Sequence, residues 1–199
     1  MNPFSSLEDL FNAAIFAARK HQGQVRKDRR ASPYVTHPLA VARTIYEIGG
    51  INDRDTLVAA ILHDTLEDTQ TTPDDIREIF GGDVVSIVLE VTDDKTQIKM
   101  ERKRQQVIHA EHLSQAARVI KLADKLINCR DIINHPPDDW PLSRRRDYIQ
   151  WAADVISRVR GTNPQLEDAF DRMLSDAEAK LEFKIEPYET VGNRPWAPY

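Results

Sequence analysis

The sequence predicts an all-α fold, a single-domain helical bundle. Three observations carry that expectation. Apolar residues recur at helical spacing along most of the chain. Gly and Pro pairs interrupt those stretches. No strand pattern of any length appears beyond a possible short ribbon near residues 29–34. No internal repeat and no linker divides the 199 residues, a length that suits one domain with a real hydrophobic core.

Taken in order, Leu7, Leu10, Phe11, Ala14, Ile15 and Ala18 fall at i, i+3, i+4 positions, so residues 7–21 read as an amphipathic helix. A polar, basic loop follows over 22–33. Thr36-His37-Pro38 opens a second helix, with Pro38 in the first turn, where its missing N–H costs nothing. Gly49-Gly50 ends it. The almost wholly apolar run 57–62 makes residues 55–68 one buried central helix. Thr72 or Pro73 starts a short helix that Gly81-Gly82 stops. Asp83 caps the next, which reaches about Val91, and 92–99 is a polar connection. Residues 101–110 and 115–133 read as helical, and Pro136-Pro137 breaks the chain. The last two helices, 143–160 and 165–181, are separated by Gly161-Thr162-Asn163-Pro164. This gives one domain over 1–183 and a tail over 184–199. Residues 186–199 hold three prolines and one glycine without any period, and are expected to be partly disordered or draped on the surface.

Composition excludes several classes. The chain is 41% hydrophobic and 30% charged, as in soluble globular proteins. No apolar run approaches the ~20 residues of a membrane span. Residues 1–20 mix Glu8, Asp9, Arg19 and Lys20 with apolar residues, unlike a signal peptide. The single cysteine, Cys129, permits no intramolecular disulfide and fits a reducing compartment, so a cytoplasmic location is expected. The net charge of −5 argues against a nucleic-acid polymer as partner. A small phosphate ligand needs only a local basic patch. No membrane partner is expected, and an oligomer is compatible with the sequence but not predicted by it.

The sharpest chemical signal is His63-Asp64 with Glu67-Asp68, directly after the buried run. On a helix Glu67 lies four residues from His63 and three from Asp64, and Asp68 lies four from Asp64, so they share a face. Carboxylates this close repel, and placing them at a buried helix end is costly unless a cation compensates. Imidazole with carboxylate suits Mn²⁺, Fe²⁺, Zn²⁺ or Ni²⁺. A lone His-Asp pair usually binds nothing, but two further residues complete a set. His37 stands at a helix start, and Asp124 is a carboxylate inside the otherwise apolar 119–126 helix. Taken alone, Asp124 reads rather as a buried partner of Lys121 or Lys125. His21, His109, His112 and His135 lie in polar or terminal contexts and read as surface residues. Cys129 reads as a small packed residue.

The order His37, His63-Asp64, Asp124 resembles the HD superfamily of metal phosphohydrolases. Finer strings resemble the hydrolase domain of the Rel/Spo family. These are Arg26-Lys27, Pro33-Tyr34-Val35-Thr36-His37-Pro38, His63-Asp64-Thr65-Leu66-Glu67-Asp68 and Lys121-Leu122-Ala123-Asp124-Lys125-Leu126-Ile127-Asn128. Thr92-Asp93-Asp94-Lys95-Thr96 and Glu101-Arg102-Lys103-Arg104 are similar to the stand-alone SpoT-homologue hydrolases, the Mesh group. The resemblance runs from about Leu7 to Leu174 and leaves no length for synthetase or regulatory domains. Two departures stand out. The loop Asp28-Arg29-Arg30-Ala31-Ser32 lacks the glycine expected just before the Pro-Tyr pair. Ile127 and Cys129 flank Asn128 where an aromatic or larger apolar neighbour is expected.

That resemblance implies an HD-type helical bundle and a (p)ppGpp 3′-pyrophosphohydrolase that yields GDP or GTP and pyrophosphate. It implies one Mn²⁺ held by His37, His63, Asp64 and Asp124, with Glu67 orienting or deprotonating the attacking water and Asp68 assisting. The substrate is highly anionic. Arg26 is expected to stack on its base and Lys27 to meet phosphate, with Tyr34, Lys95, Lys99 and Arg104 as further substrate contacts. Asn128, one turn from Asp124, is placed to bond the ribose or base. Tyr148 and Trp151 line the pocket or serve as core aromatics. Arg144-Arg145-Arg146 reads as a solvated helix face. The rival readings are an NADPH 2′-phosphatase or other HD nucleotide phosphohydrolase, and a catalytically idle nucleotide-binding module. The costly carboxylates Glu67 and Asp68 argue against the idle module.

Overall fold

The computed structural model describes residues 3–28 and 30–188. The described residues form ten α-helices and no strand. They are α1 (Pro3–Lys20), α2 (Thr36–Glu47), α3 (Arg54–Leu62), α4 (Thr65–Asp68), α5 (Pro73–Phe80), α6 (Gly82–Val91), α7 (Lys99–His109), α8 (Gln115–Asn134), α9 (Leu142–Ser157) and α10 (Pro164–Leu181).

Two helices make the centre. α8 packs against α2, α6, α9 and α10 and also touches α3; α3 packs against α1, α2 and α6. Their sequences suit that position. Every residue of α3 from Thr56 to Leu62 is buried, and in α8 so is every residue from Val119 to Leu126. The run 57–62 of α3, apolar all round, must be surrounded, whereas α5 buries only Ile76 and Phe80 and lies outside. Side-chain caps fix where the helices begin. Asp53 accepts from the Thr56 amide at 2.9 Å, Thr72 and Asp75 form a capping box, and Asn163 accepts from the Leu166 amide at 2.9 Å. Asn163 also donates through Nδ2 to the Gly49 carbonyl at 2.9 Å, tying the start of α10 to the end of α2.

Several expectations need correction. Residues 55–68 are not one helix. α3 stops at Leu62, and α4 begins at Thr65. The His63 ring bonds the Ala60 carbonyl at 2.7 Å and Thr65 Oγ1 donates to the Leu62 carbonyl at 2.6 Å, so side chains take up the carbonyls that a continuing helix would use. Asp83 does not cap α6. Gly81 holds that place with φ +96°, a conformation that glycine alone adopts cheaply, and Asp83 sits in the first turn. Others, that of His21 among them, are described with the site.

The ribbon near residues 29–34 is a single antiparallel bridge between Val25 and Pro33, flanked by Arg26 N–H to Ser32 at 2.8 Å and Tyr34 N–H to Gln24 at 3.0 Å. Within the loop it closes, Ala31 takes the left-handed conformation at φ +47°. That is the backbone the missing glycine would suit. The Asp28 side chain holds the turn instead, accepting from the amides of Arg30 at 3.1 Å and Ser32 at 3.0 Å. At the other end, Ile185 and Glu186 bond the side chains of Glu178 and Gln150, and Phe183, Ile185 and Tyr188 pack on the core. The rest of the expected tail, 189–199, lies outside the described residues.

Candidate active site

Three stretches far apart in sequence meet at one point. The first turn of α2 brings His37, the end of α3 and the turn after it bring His63 and Asp64, and the middle of α8 brings Asp124. The ligand atoms of His37, His63 and Asp124 all lie within 4.8 Å of one another. His37 Nε2 is 3.1 Å from Asp124 Oδ1 and 3.8 Å from Asp64 Oδ2; His63 Nε2 is 3.3 Å from Asp64 Oδ2 and 3.8 Å from Asp124 Oδ1. The bond from the His63 ring to Ala60 occupies Nδ1, which leaves Nε2 facing the carboxylates. Two imidazole nitrogens and two carboxylates converging in a buried place are a donor set that fits a divalent transition metal.

The surroundings hold these groups in orientation and in charge state. Tyr34 donates to Asp64 Oδ2 at 2.6 Å, and Asn128 Nδ2 donates to Asp124 Oδ1 at 2.6 Å. Burial alone would raise the Asp64 carboxyl, but the His63 and His37 rings facing it bring it below the ordinary value. Asp124 is likewise opposed by burial, yet Lys125 beside it and the bond to His37 hold it well below. Lys125 Nζ reaches Asp124 Oδ2 at 2.9 Å, while Oδ1 faces the histidines. The buried-pair and cluster readings of Asp124 are therefore both realised, with Lys125 as the partner. Lys121 reaches the Val91 carbonyl at 3.3 Å instead.

Glu67 and Asp68 line the same cavity, of about 200 Å³. Burial pushes the Glu67 carboxyl up, and the Asp93 charge adds to that. Glu67 is nevertheless held at both oxygens, by the Asp93 amide at 3.2 Å and Arg102 Nη1 at 3.3 Å. Asp68 is ion-paired with Lys95.

A second cavity, of about 220 Å³, carries Arg26, Lys27, Asp131, Trp140 and Tyr148 on its walls. Tyr34 and Asn128 line both cavities, so the two adjoin along one cleft wall. Arg26 is fixed there by Asp131 Oδ2 at 2.6 Å and Asn128 Oδ1 at 3.2 Å, with its guanidinium 5.9 Å from the Tyr34 ring. Lys99 stands near Arg144, Lys27 and Arg102; burial first, then those charges, lower its pKa.

Several expected placements differ. Arg104 lines neither cavity. It is exposed and paired with Glu101 on its own helix at 3.2 Å, because Lys103 and Val107 take the inward face of α7. Of the two readings left open for the aromatics of α9, Trp151 takes the core one, buried and donating to the Lys103 carbonyl at 3.0 Å, and Tyr148 the cleft one. His21 is buried rather than on the surface. Its ring packs 4.8 Å from that of Tyr34, and Gln24, which it bonds at 2.8 Å, donates to the Asp68 carbonyl at 2.7 Å. His109, His112 and His135 are exposed. The arginine triplet is not a plain solvated face. Arg144 lies 4.2 Å from the Trp140 ring, Arg145 bonds the Ile133 carbonyl and Arg146 that of Leu181. Sequence reasoning missed Asp93, Arg102, Asp131 and Trp140. The first two sit inside strings already quoted, and Asp131 follows Asp124 by seven residues, on the same helix face.

The chain matches the HD domain family model over residues 13–152. It is 53% identical to a Xenopus tropicalis protein named guanosine-3′,5′-bis(diphosphate) 3′-pyrophosphohydrolase MESH1, over 84% of this chain and 93% of that one. Its human namesake is 49% identical, over 85% and 94%. A solved structure described as a metazoan orthologue of SpoT that hydrolyses ppGpp superimposes with a TM-score of 0.82 and 42% identity, covering 84% of this chain and 94% of that one. With a cleft of this construction and likeness along nearly the full length of these proteins, the chain belongs to the HD domain family, in the group that holds the MESH1 proteins.

Proposed function

We propose that this chain is a Mn²⁺-dependent (p)ppGpp 3′-pyrophosphohydrolase that converts ppGpp or pppGpp to GDP or GTP and pyrophosphate. One observation carries the reading: a buried His/Asp cluster and an aromatic, basic cavity share Tyr34 and Asn128 as common walls. A nucleotide lying across them places its base among rings and a ribose-bound phosphate beside the cluster.

His37, His63, Asp64 and Asp124 would hold the ion, oriented by Tyr34 and Asn128. When bound, it lowers the pKa of a water and draws charge from the phosphoryl oxygens. Glu67, its carboxyl raised by burial and by Asp93, takes the proton of the attacking water, and Asp68 assists. The water oxygen bonds to phosphorus as the bond from phosphorus to the ribose 3′-oxygen breaks, and that oxygen takes up the proton that Glu67 removed. Arg26 presents its guanidinium to the base and Tyr148 its ring. Lys27, Lys95 and Lys99 meet the phosphates, and Asn128 meets the ribose. Lys95 exchanges its Asp68 partner for phosphate when substrate enters. Arg102, bonded to Glu67, replaces Arg104 in this scheme.

No helix among the described residues is long and apolar enough to cross a membrane. The proposal includes a cytoplasmic location, no membrane or nucleic-acid polymer as partner, and a catalytic unit over 1–183 followed by the tail.

The test is a panel of ppGpp, pppGpp, NADPH and deoxynucleoside monophosphates assayed with Mn²⁺ and with EDTA. Pyrophosphate release from the two alarmones, abolished by EDTA, is expected. No pyrophosphate from either alarmone, with orthophosphate as the only product of the whole panel, contradicts the proposal.

A further inference from the structure

We infer that His21 is a positioning residue for the cluster: its ring props Tyr34, so that the Tyr34 hydroxyl holds Asp64 facing the two histidines. This rests on the reading of His37, His63, Asp64 and Asp124 as metal ligands and extends it to the residues behind them. Nothing in the chemistry proposed above uses His21. It stands immediately after α1, lines neither cavity, and is nevertheless only 3% exposed.

Two contacts account for its place. The first is the ring face. His21 packs on Tyr34 with centroids 4.8 Å apart and planes 37° apart. The His37 ring, at 6.1 Å, and the Arg26 guanidinium, at 5.9 Å, stand further from the Tyr34 ring. From that ring the hydroxyl donates to Asp64 Oδ2 at 2.6 Å. The same oxygen lies 3.3 Å from His63 Nε2 and 3.8 Å from His37 Nε2. Where Tyr34 sits therefore sets how Asp64 meets the histidines. The second contact is at Nδ1, 2.8 Å from Gln24 Oε1. Gln24 Nε2 donates to the Asp68 carbonyl at 2.7 Å, so Oε1 is the acceptor and His21 Nδ1 carries the proton. The Gln24 carbonyl accepts the Tyr34 amide at 3.0 Å. His21 and Gln24 thus tie Tyr34, by ring and by backbone, to the helix that runs from Asp64 to Asp68.

The other ring nitrogen, Nε2, is buried and has no hydrogen-bond partner among the described residues. An unpaired nitrogen there costs stability, and a leucine or phenylalanine would avoid that cost. Neither would supply both things that the imidazole brings, a flat face for Tyr34 and a donor for Gln24.

Manganese affinity tests this, read from the electron paramagnetic resonance of the free ion as the full chain is titrated. The design is a double-mutant cycle with Tyr34→Phe, which keeps the ring and removes the hydroxyl. His21→Leu lacks both the flat face and the donor. It is expected to weaken manganese binding by about 10- to 100-fold, the scale for a group that orients a ligand from behind. In the Tyr34→Phe background the same substitution is expected to cost a few-fold at most, because the hydroxyl it would misplace is already gone. His21→Phe keeps the face and loses the donor, so a smaller loss is expected, again confined to the chain that has the hydroxyl. Unchanged affinity in His21→Leu overturns the inference. So does a loss of equal size in both backgrounds, as would follow if His21 only supported the fold around it. Should His21→Leu not fold, the cycle with His21→Phe decides by the same two outcomes. A wild type that binds manganese without this coupling sinks only the role of His21. A wild type that binds none sinks the ligand assignment as well.

Discussion

Asp124 and Glu67 are carboxylates of one pocket whose surroundings pull them in opposite directions. Lys125 and the histidines keep Asp124 ionised against burial, which suits a ligand; burial and Asp93 push Glu67 up, which suits proton transfer. The two should separate by mutation. Asp124→Ala is expected to lose bound manganese in elemental analysis. Glu67→Ala is expected to keep it while kcat falls by about 10²- to 10⁴-fold. Equal metal loss in both variants contradicts that division of labour. Lys103 gives a second residue-level prediction. Burial first, then Lys99 and Lys125, push it from 10.5 down to about 8, although its Nζ lies 4.8 Å from the Trp151 ring. Below pH 8 the lysine is charged in both folded and unfolded chains, and the folded state bears the whole penalty. Between 8 and 10.5 the unfolded chain binds more protons, so stability rises with pH; above 10.5 the penalty is gone. Lys103→Met is therefore expected to stabilise the protein at pH 7 by about 1 to 2 kcal/mol, after the lost ring contacts are set against the relieved burial. Urea titrations at pH 7 and near pH 10 check it: the gain should shrink at the higher pH.

At the level of elements, the loop that carries Arg26 into the cleft holds an alanine in left-handed backbone, at φ +47°. An L-residue there costs about 1 to 2 kcal/mol, and glycine returns roughly half of that through the freedom of its unfolded chain. Ala31→Gly is expected to raise stability by about 0.5 to 1 kcal/mol in urea titration, and a loss would mean that the turn is not strained. The strain itself was foreshadowed, since the sequence lacks a glycine where the loop needs one. Helix positions were also legible, because apolar spacing and Gly or Pro punctuation report burial directly. The break at His63-Asp64 was not. The run before it is continuously apolar, no Gly or Pro marks the turn, and the signal lies in side chains that bond back to carbonyls. The residues of the buried cluster could be named because His and Asp beside apolar runs are chemically unusual. Arg102 and Asp131 could not, because a charge on a half-exposed helix face looks the same whether it meets solvent or a cleft. Arg104 was preferred to Arg102 for that reason, and only the rotation of α7 decides between them. His21 was misjudged because the helix end that carries it folds back under Tyr34.

For the whole molecule, the cluster joins elements that the chain brings together only by folding: the start of α2, the end of α3 and the middle of α8. The two central helices meet there, each buried nearly all round, so the site sits at the mechanical centre of the bundle. An ion that needs all three cannot be held as tightly by the unfolded chain, and its binding energy therefore adds to folding stability. Manganese at 100 times its dissociation constant should add about 2.7 kcal/mol. For a chain of this length that corresponds to a rise in Tm of roughly 5 to 10 °C. Scanning calorimetry with manganese and after EDTA treatment measures it. In Asp124→Ala the manganese-dependent rise is expected to vanish, whatever the variant's own Tm. In Glu67→Ala it is expected to persist, because that residue stands beside the cluster and not in it. A wild-type Tm indifferent to manganese, or a rise that survives the loss of Asp124, would show that the ion does not sit where these helices converge.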